Sequence, residues 1–312
     1  MNDKNPIGFA VSNADEAWLA TINRILDEGR SGDDRTGTGT ASVFGHMLRI
    51  PLTRDGEDTL PVVAIKKTNW RDAIFELQWM LSGSNSLRPL LENGIHIWTD
   101  WPKAAYERET GNTLTRDEFE RLVLEDDEFE SKWGIIDPCY GTQMRHYPTS
   151  NGPFDQMTQL IEEIRRNPNS RRLLWNLWIP DFTIVQGGTG LPPCHYEGQV
   201  SVKDGVLSLI VTMRSWDTAL GQPYNMAQYG WFAHLLARMT GNKPGDLIMA
   251  SHDTHLYKNH IEAVTTVLDR SPQPDPIIRW NRTPESLDDL KMSDFTVEDY
   301  NPNPFLKLPV AV

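Results

Sequence analysis

Two β-rich runs joined by an Asp-Gly turn, followed by a long apolar segment, most constrain the fold of this chain. Gly198–Val202 and Val206–Met213 flank Lys203-Asp204-Gly205, and Asp-Gly between two such runs is a strong signal for a β-hairpin. Tyr224–Thr240 has the length and apolar character of a buried helix, and Gly241 follows it as a stop signal. The chain therefore combines antiparallel strands with a core helix.

The rest of the chain mixes helical and strand-like segments without a regular βαβ order. The spacing predicts helices over Ala14–Glu28, Trp70–Ser82 and Gln156–Arg166, and β-structure over Ser42–Leu52 and Arg171–Trp178. In the second helix Glu76 is set among inward-facing apolar residues. This order favours a mixed α+β layered fold over a doubly wound sheet.

No linker rich in Pro, Gly and Ser divides the 312 residues, so we predict a single domain over residues 1–312. Residues 102–132 are rich in Glu, Arg and Asp at helical spacing but poor in apolar residues. We interpret them as a surface insertion that is mostly helical.

Composition excludes several classes of function. With 30 Lys and Arg against 43 Asp and Glu, the net charge is −13, which argues against general affinity for nucleic acid or an anionic membrane but leaves a local basic pocket open. The two cysteines, Cys139 and Cys194, give neither a disulfide framework nor zinc-ligand spacing, so we expect reduced thiols and no metal. Because no signal peptide or membrane-spanning segment is evident, we expect a cytoplasmic location.

Cys194 stands in Leu191-Pro192-Pro193-Cys194-His195, where two prolines restrict the backbone and a histidine offers a base within local reach. Thiolates are strong nucleophiles, and a neighbouring base or cation raises their fraction. An inert buried cysteine explains the pentapeptide equally well when it is taken alone.

Arginines at three places suit an anionic ligand. Arg35 lies in a glycine-rich segment, Asp34–Gly39, which is typical of a phosphate loop and also of a solvated turn. Arg171 and Arg172 enter the β-rich run, where neighbours point to opposite faces, so at least one needs an anionic partner. Arg214 stands beside the hydroxyl of Ser215 at the end of the predicted hairpin.

Two further segments offer hydrogen-bonding groups. Asn225, near the start of the long helix, could serve as a cap or read a carbonyl and an N–H of a flat heterocycle. His252–His260 holds three histidines and two hydroxyl groups. A polar surface turn, a metal site and a site for sugar hydroxyls all remain open there, although the absence of an HExxH pattern and of nearby cysteines disfavours a metal.

Taken in order, these segments resemble thymidylate synthases from Trp18 to Val312. The motifs that carry the resemblance are DDRTGTG, FELQW around Glu76, IWTDW, PCYG, NSRR, LPPCH, RSWD followed by LGQPYN, HDTHLY and the terminal PVAV. The resemblance implies a mixed-sheet, three-layer α+β domain and a symmetric homodimer packed through its sheets. It also implies that Arg171 and Arg172 reach the active site of the partner subunit.

The resemblance further implies transfer of a one-carbon unit to C5 of dUMP, with 5,10-methylenetetrahydrofolate as co-substrate and no metal. Cys194 would add to C6 of the base, Glu76 and Tyr140 would transfer protons, and Asp217 and His195 would assist. The groups implied to bind dUMP are Arg35, Arg171, Arg172, Arg214 and Ser215 at the phosphate, Asn225 at the base, and His255 and Tyr257 at the 3′-hydroxyl. The groups implied to contact folate are Lys66, Ile97, Trp98, Trp101, Leu191, Asp217, Gly221, Tyr224, and Ala311 and Val312 of a C-terminal lid.

Several positions depart from the family's usual residues. Met213 stands in place of glutamine, His252 in place of glycine, Tyr224 in place of phenylalanine, Met144 and Tyr147 in place of tryptophans, and Gly83-Ser84-Asn85-Ser86 in place of Gly-Asp-Thr-Asn. Drift with compensating packing explains such changes, and so does retuning toward a hydroxymethylase, in which water replaces the hydride. Tyr224 or His252 could order that water, whereas Trp98 and the terminal valine favour a dry site and methylation. Both products therefore stay open.

Asn225 favours uracil as the base, because a relative specific for dCMP would be expected to carry an aspartate that accepts from the 4-amino group. Two other classes of protein compete with this interpretation. A Cys-His hydrolase would use Cys194 and His195 but leaves the arginines unexplained. A catalytically silent nucleotide-binding paralogue conflicts with the filled catalytic positions.

Overall fold

The computed structural model describes residues 9–34, 37–137, 140–180 and 192–309. The helices are α1 Ala14–Glu28, α2 Trp70–Leu81, α3 Arg88–Glu92, α4 Asp100–Thr110, α5 Arg116–Glu125, α6 Asp127–Trp133, α7 Tyr140–Arg145, α8 Gln156–Arg166, α9 Gly221–Met239 and α10 Lys258–Thr265. The strands are β1 Phe9–Ala10, β2 Arg30–Gly32, β3 Thr40–Pro51, β4 Thr53–Arg54, β5 Glu57–Asp58, β6 Tyr147–Thr149, β7 Gly152–Phe154, β8 Leu174–Asn176, β9 His195–Lys203, β10 Val206–Asp217, β11 Lys243–Tyr257, β12 Ile277–Trp280 and β13 Phe295–Glu298.

The chain divides into two compact units. The first comprises Met1–Ile74, Leu160–Leu174 and Cys194–Val312, and the second comprises Phe75–Gln159 and Trp175–Pro193. Helices α2 and α8 and strand β8 each begin in one unit and end in the other. The expectation of a single domain over the whole chain stays a prediction.

The first unit contains a mixed sheet in which β1, β3, β11, β10 and β9 follow one another and β2 pairs with β3. Strand β10 runs parallel to β11 and antiparallel to β9, and β3 runs antiparallel to β11. The predicted hairpin is confirmed: Lys203 pairs with Val206, and Asp204 and Gly205 both have positive φ, at 51° and 72°. These two angles suit a two-residue turn that matches the twist of the strands.

Helix α9 is the predicted core helix, extended at its start to Gly221. The helix is buried nearly all round, and Tyr229, Trp231 and Phe232 are at most 1% exposed, as expected of a helix surrounded by protein. Helix α1 buries Trp18, whose indole N–H donates to the Thr218 carbonyl oxygen over 2.7 Å. This bond ties α1 to the connection between β10 and α9, where several candidate site residues lie.

The second unit contains the predicted insertion as helices α4, α5 and α6. Its apolar content is small but concentrated: the Tyr106 ring lies 6.1 Å from Phe119, 5.5 Å from Phe129 and 5.3 Å from Trp133, measured between centroids. Such edge-on aromatic clusters bury much apolar area with few residues. The insertion therefore has a core of its own, which its charged sequence concealed.

Candidate active site

Cys194 lies directly before β9, and its thiol faces the guanidinium of Arg214 on the neighbouring strand β10. Arg214 Nη2 is 3.6 Å from Cys194 Sγ. The Arg214 N–H also donates to the Cys194 carbonyl oxygen over 2.8 Å, which fixes the two residues side by side. Cys194 is half-buried and forms no disulfide among the described residues. Because a nearby cation favours the thiolate, this arrangement favours a nucleophile over an inert buried cysteine.

His195 is not the cation beside this thiol. Its ring is buried and hydrogen-bonds through Nδ1 to the Tyr229 hydroxyl. Burial lowers the pKa of His195 to about 3, so the imidazole is neutral at physiological pH. The sequence suggested a base within local reach of Cys194, but a group with this pKa is a weak base. Arg214 supplies the positive charge instead.

The side-chain amide of Asn225 is fixed by two neighbours in the first unit. The Trp216 indole N–H donates to Asn225 Oδ1 over 3.0 Å, and Asn225 Nδ2 donates to Gln228 Oε1 over 3.0 Å. An indole N–H can only donate, so it determines which end of the amide is the oxygen. These bonds leave Asn225 one amide hydrogen and one oxygen lone pair for a flat ligand with both an acceptor and a donor. Asn225 is not the N-cap of α9, which is Leu220.

His255 and Tyr257 are two residues apart on β11 and therefore lie on one face of the strand. Their rings meet edge-on with centroids 5.2 Å apart. His255 Nδ1 bonds to Asp253 Oδ1 over 3.0 Å, and this hydrogen bond lowers the pKa of the Asp253 carboxyl. An imidazole and a phenol therefore lie side by side here, and both can hydrogen-bond to a sugar hydroxyl.

Asp217 ends β10 and turns the chain into α9, since its Oδ1 accepts from the N–H groups of Ala219, at 2.9 Å, and Leu220, at 3.3 Å. A methyl group added to Gly221 would lie 3.6 Å from Asp217 Cβ and 3.7 Å from Asn225 Oδ1. Asp217, Gly221 and Asn225 therefore line one side of this turn. Tyr224 is half-buried in the same first turn of α9.

Lys66 is buried in the first unit, with its ammonium 5.7 Å from the Trp18 ring centroid. Burial lowers the pKa of Lys66 to about 8, and the carboxylate of Asp217 opposes that shift. An anionic ligand near Lys66 would act in the same direction as Asp217. Ser215, beside Arg214, is in register with Asp253 on the parallel strand β11.

In the second unit, Glu76 and Trp98 form a buried pair. The Trp98 indole N–H donates to Glu76 Oε1 over 2.6 Å, and the two residues are 9% and 6% exposed. The Trp98 ring also meets Trp101 and Tyr140, with centroids 5.4 Å and 6.1 Å apart. Ile97, next to Trp98, is 44% exposed. A carboxyl, a phenol and exposed apolar surface are thus collected at one place.

Arg171 and Arg172 are not on a strand. Strand β8 begins only at Leu174, and both arginines are exposed ahead of it. The prediction that the two arginines lie on a strand and point to its opposite faces was therefore wrong, because the strand is only three residues long. No hydrogen bond or ion pair within the described ranges engages either guanidinium, so both remain available for an anion.

Four predicted site residues, Arg35, Leu191, Ala311 and Val312, lie outside the described residues, as does Cys139. The chain next to two of these places is held firmly. Asp34 Oδ1 accepts from the Gly39 N–H over 2.6 Å. The Pro309 carbonyl oxygen accepts from Nε2 of His260, which is 0% exposed, over 2.6 Å.

The residues that orient the site were not predicted from the sequence. Trp216 and Gln228 fix Asn225, and Tyr229 engages His195. Position 228 follows Asn225 by three residues on a helix, so the spacing could have suggested that contact. The Trp216 contact joins a strand to a helix and has no local signal.

The departures from the usual family residues fall at different places. Met213 is buried, at 1% exposure, among the apolar residues of β10. His252 is exposed, 6.3 Å from Phe44 and 5.9 Å from Tyr196 between ring centroids. The suggestion that His252 orders water at the site stays a prediction.

Metal-binding clusters and membrane-spanning helices are both lacking among the described residues. Within that part of the chain, no three His, Cys, Asp or Glu side chains are grouped as a metal site would require. None of the helices in the described ranges is both long and apolar enough to cross a bilayer.

The fold and the site define a mixed α+β protein in which a thiol is paired with a guanidinium and other residues of the same unit suit a base and a sugar. The family model for thymidylate synthase matches residues 16–312. The chain is 39% identical over 302 residues to the thymidylate synthase of Zymomonas mobilis, covering 96% of this chain and 100% of that protein. It is 38% identical over 304 residues to that of Cereibacter sphaeroides, covering 97% and 100%. The chain belongs to the thymidylate synthase family.

Proposed function

We propose that this protein transfers the one-carbon unit of 5,10-methylenetetrahydrofolate to C5 of dUMP and reduces it, giving dTMP and dihydrofolate. The observation that carries this proposal is the Cys194 thiol held 3.6 Å from the Arg214 guanidinium. Family membership and relatives named thymidylate synthase over nearly the full length support methylation as the reaction.

Cys194 begins the reaction by adding its thiolate to C6 of the pyrimidine. The electron pair of the C5–C6 double bond moves toward C5 and O4, so that C5 becomes the nucleophile. The amide hydrogen of Asn225 that Gln228 does not use is available to O4, and the free lone pair of Oδ1 is available to the N3–H. At the end, Cys194 leaves C6 with its bonding electrons and the double bond is restored.

Proton transfers fall to Glu76 and Tyr140. The Trp98 indole N–H holds Glu76 Oε1, and the Glu76 carboxyl would relay protons. Tyr140 would remove the proton from C5, and His195, neutral at physiological pH, would act through water. The phosphate of dUMP would be held by Arg214, Ser215, Arg35 and the partner's Arg171 and Arg172, since guanidinium groups suit phosphate oxygens. His255 and Tyr257 would bind the 3′-hydroxyl.

The residues proposed to contact the flat, anionic folate come from both units. Lys66 provides a cation and Asp217 a carboxyl oxygen in the first unit, beside Gly221 and Tyr224. Ile97, Trp98 and Trp101 provide apolar surface in the second unit. When bound, the folate supplies the methylene carbon and the hydride. Leu191, Ala311 and Val312 are proposed to cover it and exclude water.

A second copy of the chain completes the proposed site. The sheet of the first unit carries exposed apolar side chains that suit such a partner, notably Phe44, at 84% exposure, and Met47, at 36%. The proposed assembly is a cytoplasmic homodimer, in which each subunit lends Arg171 and Arg172 to the other. To test it, a Cys194→Ser subunit can be mixed with an Arg171→Ala/Arg172→Ala subunit. The mixture should recover about a quarter of wild-type activity, since half of the dimers then have one intact site; no recovery contradicts shared sites.

The reaction itself is tested by Cys194→Ser. With dUMP and the folate present, the wild-type protein should show the near-ultraviolet absorbance gain of dihydrofolate formation. Cys194→Ser should lose turnover by on the order of a thousandfold or more, because a serine hydroxyl is far less ionised than a thiol. It should still bind dUMP in calorimetry, since Arg214 and Asn225 remain. Retained turnover in this variant contradicts covalent catalysis by Cys194.

A further inference from the structure

The insertion contacts the segment His96–Thr99, which in turn contacts the proposed catalytic Glu76, and its sequence does not suggest this link. Glu120, on α5, is only 8% exposed although it is charged. Its carboxylate accepts from the Thr99 hydroxyl over 2.5 Å and bonds to His96 Nδ1 over 2.9 Å. A buried carboxylate is stable only when such partners satisfy it. Glu120 thus holds both ends of the segment His96–Thr99 by hydrogen bonds.

Arg116, one turn before Glu120 on α5, also holds the segment His96–Thr99. Its Nη2 donates to the His96 carbonyl oxygen over 2.5 Å, and its Nε lies 3.5 Å from Glu120 Oε1. The insertion therefore holds the backbone of His96 as well as its side chain. Because a capping box at Thr115 fixes the first turn of α5, Arg116 lies on a well-defined part of the helix.

The Thr99 side chain hydrogen-bonds to Glu120 and does not cap its own helix, α4. It occupies the N-cap position of α4, where a threonine side chain usually accepts from the backbone of the first turn. Here it makes no such bond, is 0% exposed, and donates to Glu120 instead. The Thr99 hydroxyl therefore depends on the insertion for its hydrogen-bond partner.

Trp98 lies inside the segment His96–Thr99, and its indole N–H donates to Glu76. The side chains are connected in one order: Glu120 holds Thr99, Thr99 adjoins Trp98, and Trp98 holds Glu76. We propose that the insertion is a positioning element, in which Glu120 and Arg116 fix the segment His96–Thr99 and thereby aim the Trp98 indole at the Glu76 carboxyl. This rests on the proposed function for the role of Glu76, but the arrangement itself does not.

Two substitutions test the link. Thr99→Val keeps the shape of the side chain and removes the donor, and Thr99→Ser keeps the donor. Glu120→Gln keeps an acceptor for Thr99 and removes the charge, with Glu125→Gln, an exposed position on the same helix, as its matched control. Phe119→Leu loosens the aromatic cluster of the insertion without touching the link, and so controls for loss of stability.

The first readout is the ¹⁵N–¹H resonance of the Trp98 indole, assigned by its loss in Trp98→Phe. We expect Thr99→Val and Glu120→Gln to shift or broaden it, and Thr99→Ser, Glu125→Gln and Phe119→Leu to leave it in place. The second readout is kinetic: Thr99→Val should lower kcat about tenfold, the effect of one charge-assisted hydrogen bond, while the KM for dUMP stays within about twofold. Thr99→Ser should restore kcat.

An unchanged indole resonance and an unchanged kcat in Thr99→Val, with only a lowered melting temperature, would overturn the proposal. So would an equal shift of the resonance in Phe119→Leu. If the wild-type protein forms no product from dUMP and folate, the proposed function fails, but the indole resonance still decides whether the insertion positions Trp98.

Discussion

The indole N–H of Trp216 donates to Oδ1 of Asn225 over 3.0 Å, joining the end of strand β10 to the first turns of helix α9. The proposed reader of the pyrimidine is therefore oriented before a nucleotide arrives. Gln228 completes the arrangement by accepting from Asn225 Nδ2 over 3.0 Å. An amide fixed at both ends presents its remaining donor and acceptor in one order, which is the order that uracil requires at O4 and N3.

Trp216→Phe should weaken this orientation. The change removes the donor and leaves an aromatic ring, so the Asn225 amide can turn over. We expect kcat/KM for dUMP to fall about tenfold, the effect of one hydrogen bond, and the preference for dUMP over dCMP to fall with it. Trp231→Phe is the matched control, because the Trp231 indole nitrogen is buried without a partner among the described residues. Equal kinetics for the two variants would contradict an orienting role for Trp216.

Asn225→Asp should move the base preference from dUMP toward dCMP. An aspartate keeps the oxygen that accepts from Trp216 and offers a second oxygen to the 4-amino group of cytosine. It loses the bond to Gln228, so overall activity should fall as well. The measurement is the ratio of kcat/KM for the two nucleotides. An unchanged ratio would remove Asn225 as the group that reads the base.

The start of α9 also depends on His46, which should make stability sensitive to acid. Thr21 Oγ1 is bonded to Gln222 Nε2 and to His46 Nε2, both over 3.0 Å, while Arg24 Nη1 lies 3.0 Å from His46 Nδ1. Since a guanidinium only donates, His46 is neutral with its proton on Nε2. Burial, reinforced by Arg24, lowers the pKa of His46 from 6.5 to about 4.

The unfolded chain therefore binds a proton at His46 before the folded chain does. The stability that His46 contributes is complete above pH 6.5 and is lost as the pH falls toward about 4. Urea unfolding of the wild type and His46→Asn should give free energies whose difference shrinks by about 2 kcal/mol between neutral pH and about pH 5. The exposed His252→Asn serves as the control. A difference independent of pH would contradict a buried neutral His46.

Local signals were enough for much of the fold. The Asp-Gly turn, helix α1 and helix α9 all lie where composition and spacing predicted them, because each depends on residues close together in the chain. The insertion's core was not visible, since its four aromatic residues come from three helices and show no single periodicity. Arg171 and Arg172 were misplaced because the apolar residues after them form only a short strand.

The candidate site residues could be picked out from the sequence, but their spatial arrangement could not. Cys194 and Asn225 stand out from their immediate neighbours in the sequence. The guanidinium beside the thiol depends on the pairing of β9 with β10, which includes an irregularity between Thr212 and Met213. A register shift of this kind is set by packing on both faces of the sheet and has no signature in either strand alone.

Mass analysis of the nucleotide product, after incubation with dUMP and 5,10-methylenetetrahydrofolate, tests the central claim most directly. Reductive methylation predicts a product that is heavier by one methylene group, formed in equal amount with dihydrofolate. A product that carries an additional oxygen, formed without dihydrofolate, would contradict it and would show that water rather than hydride completes the reaction.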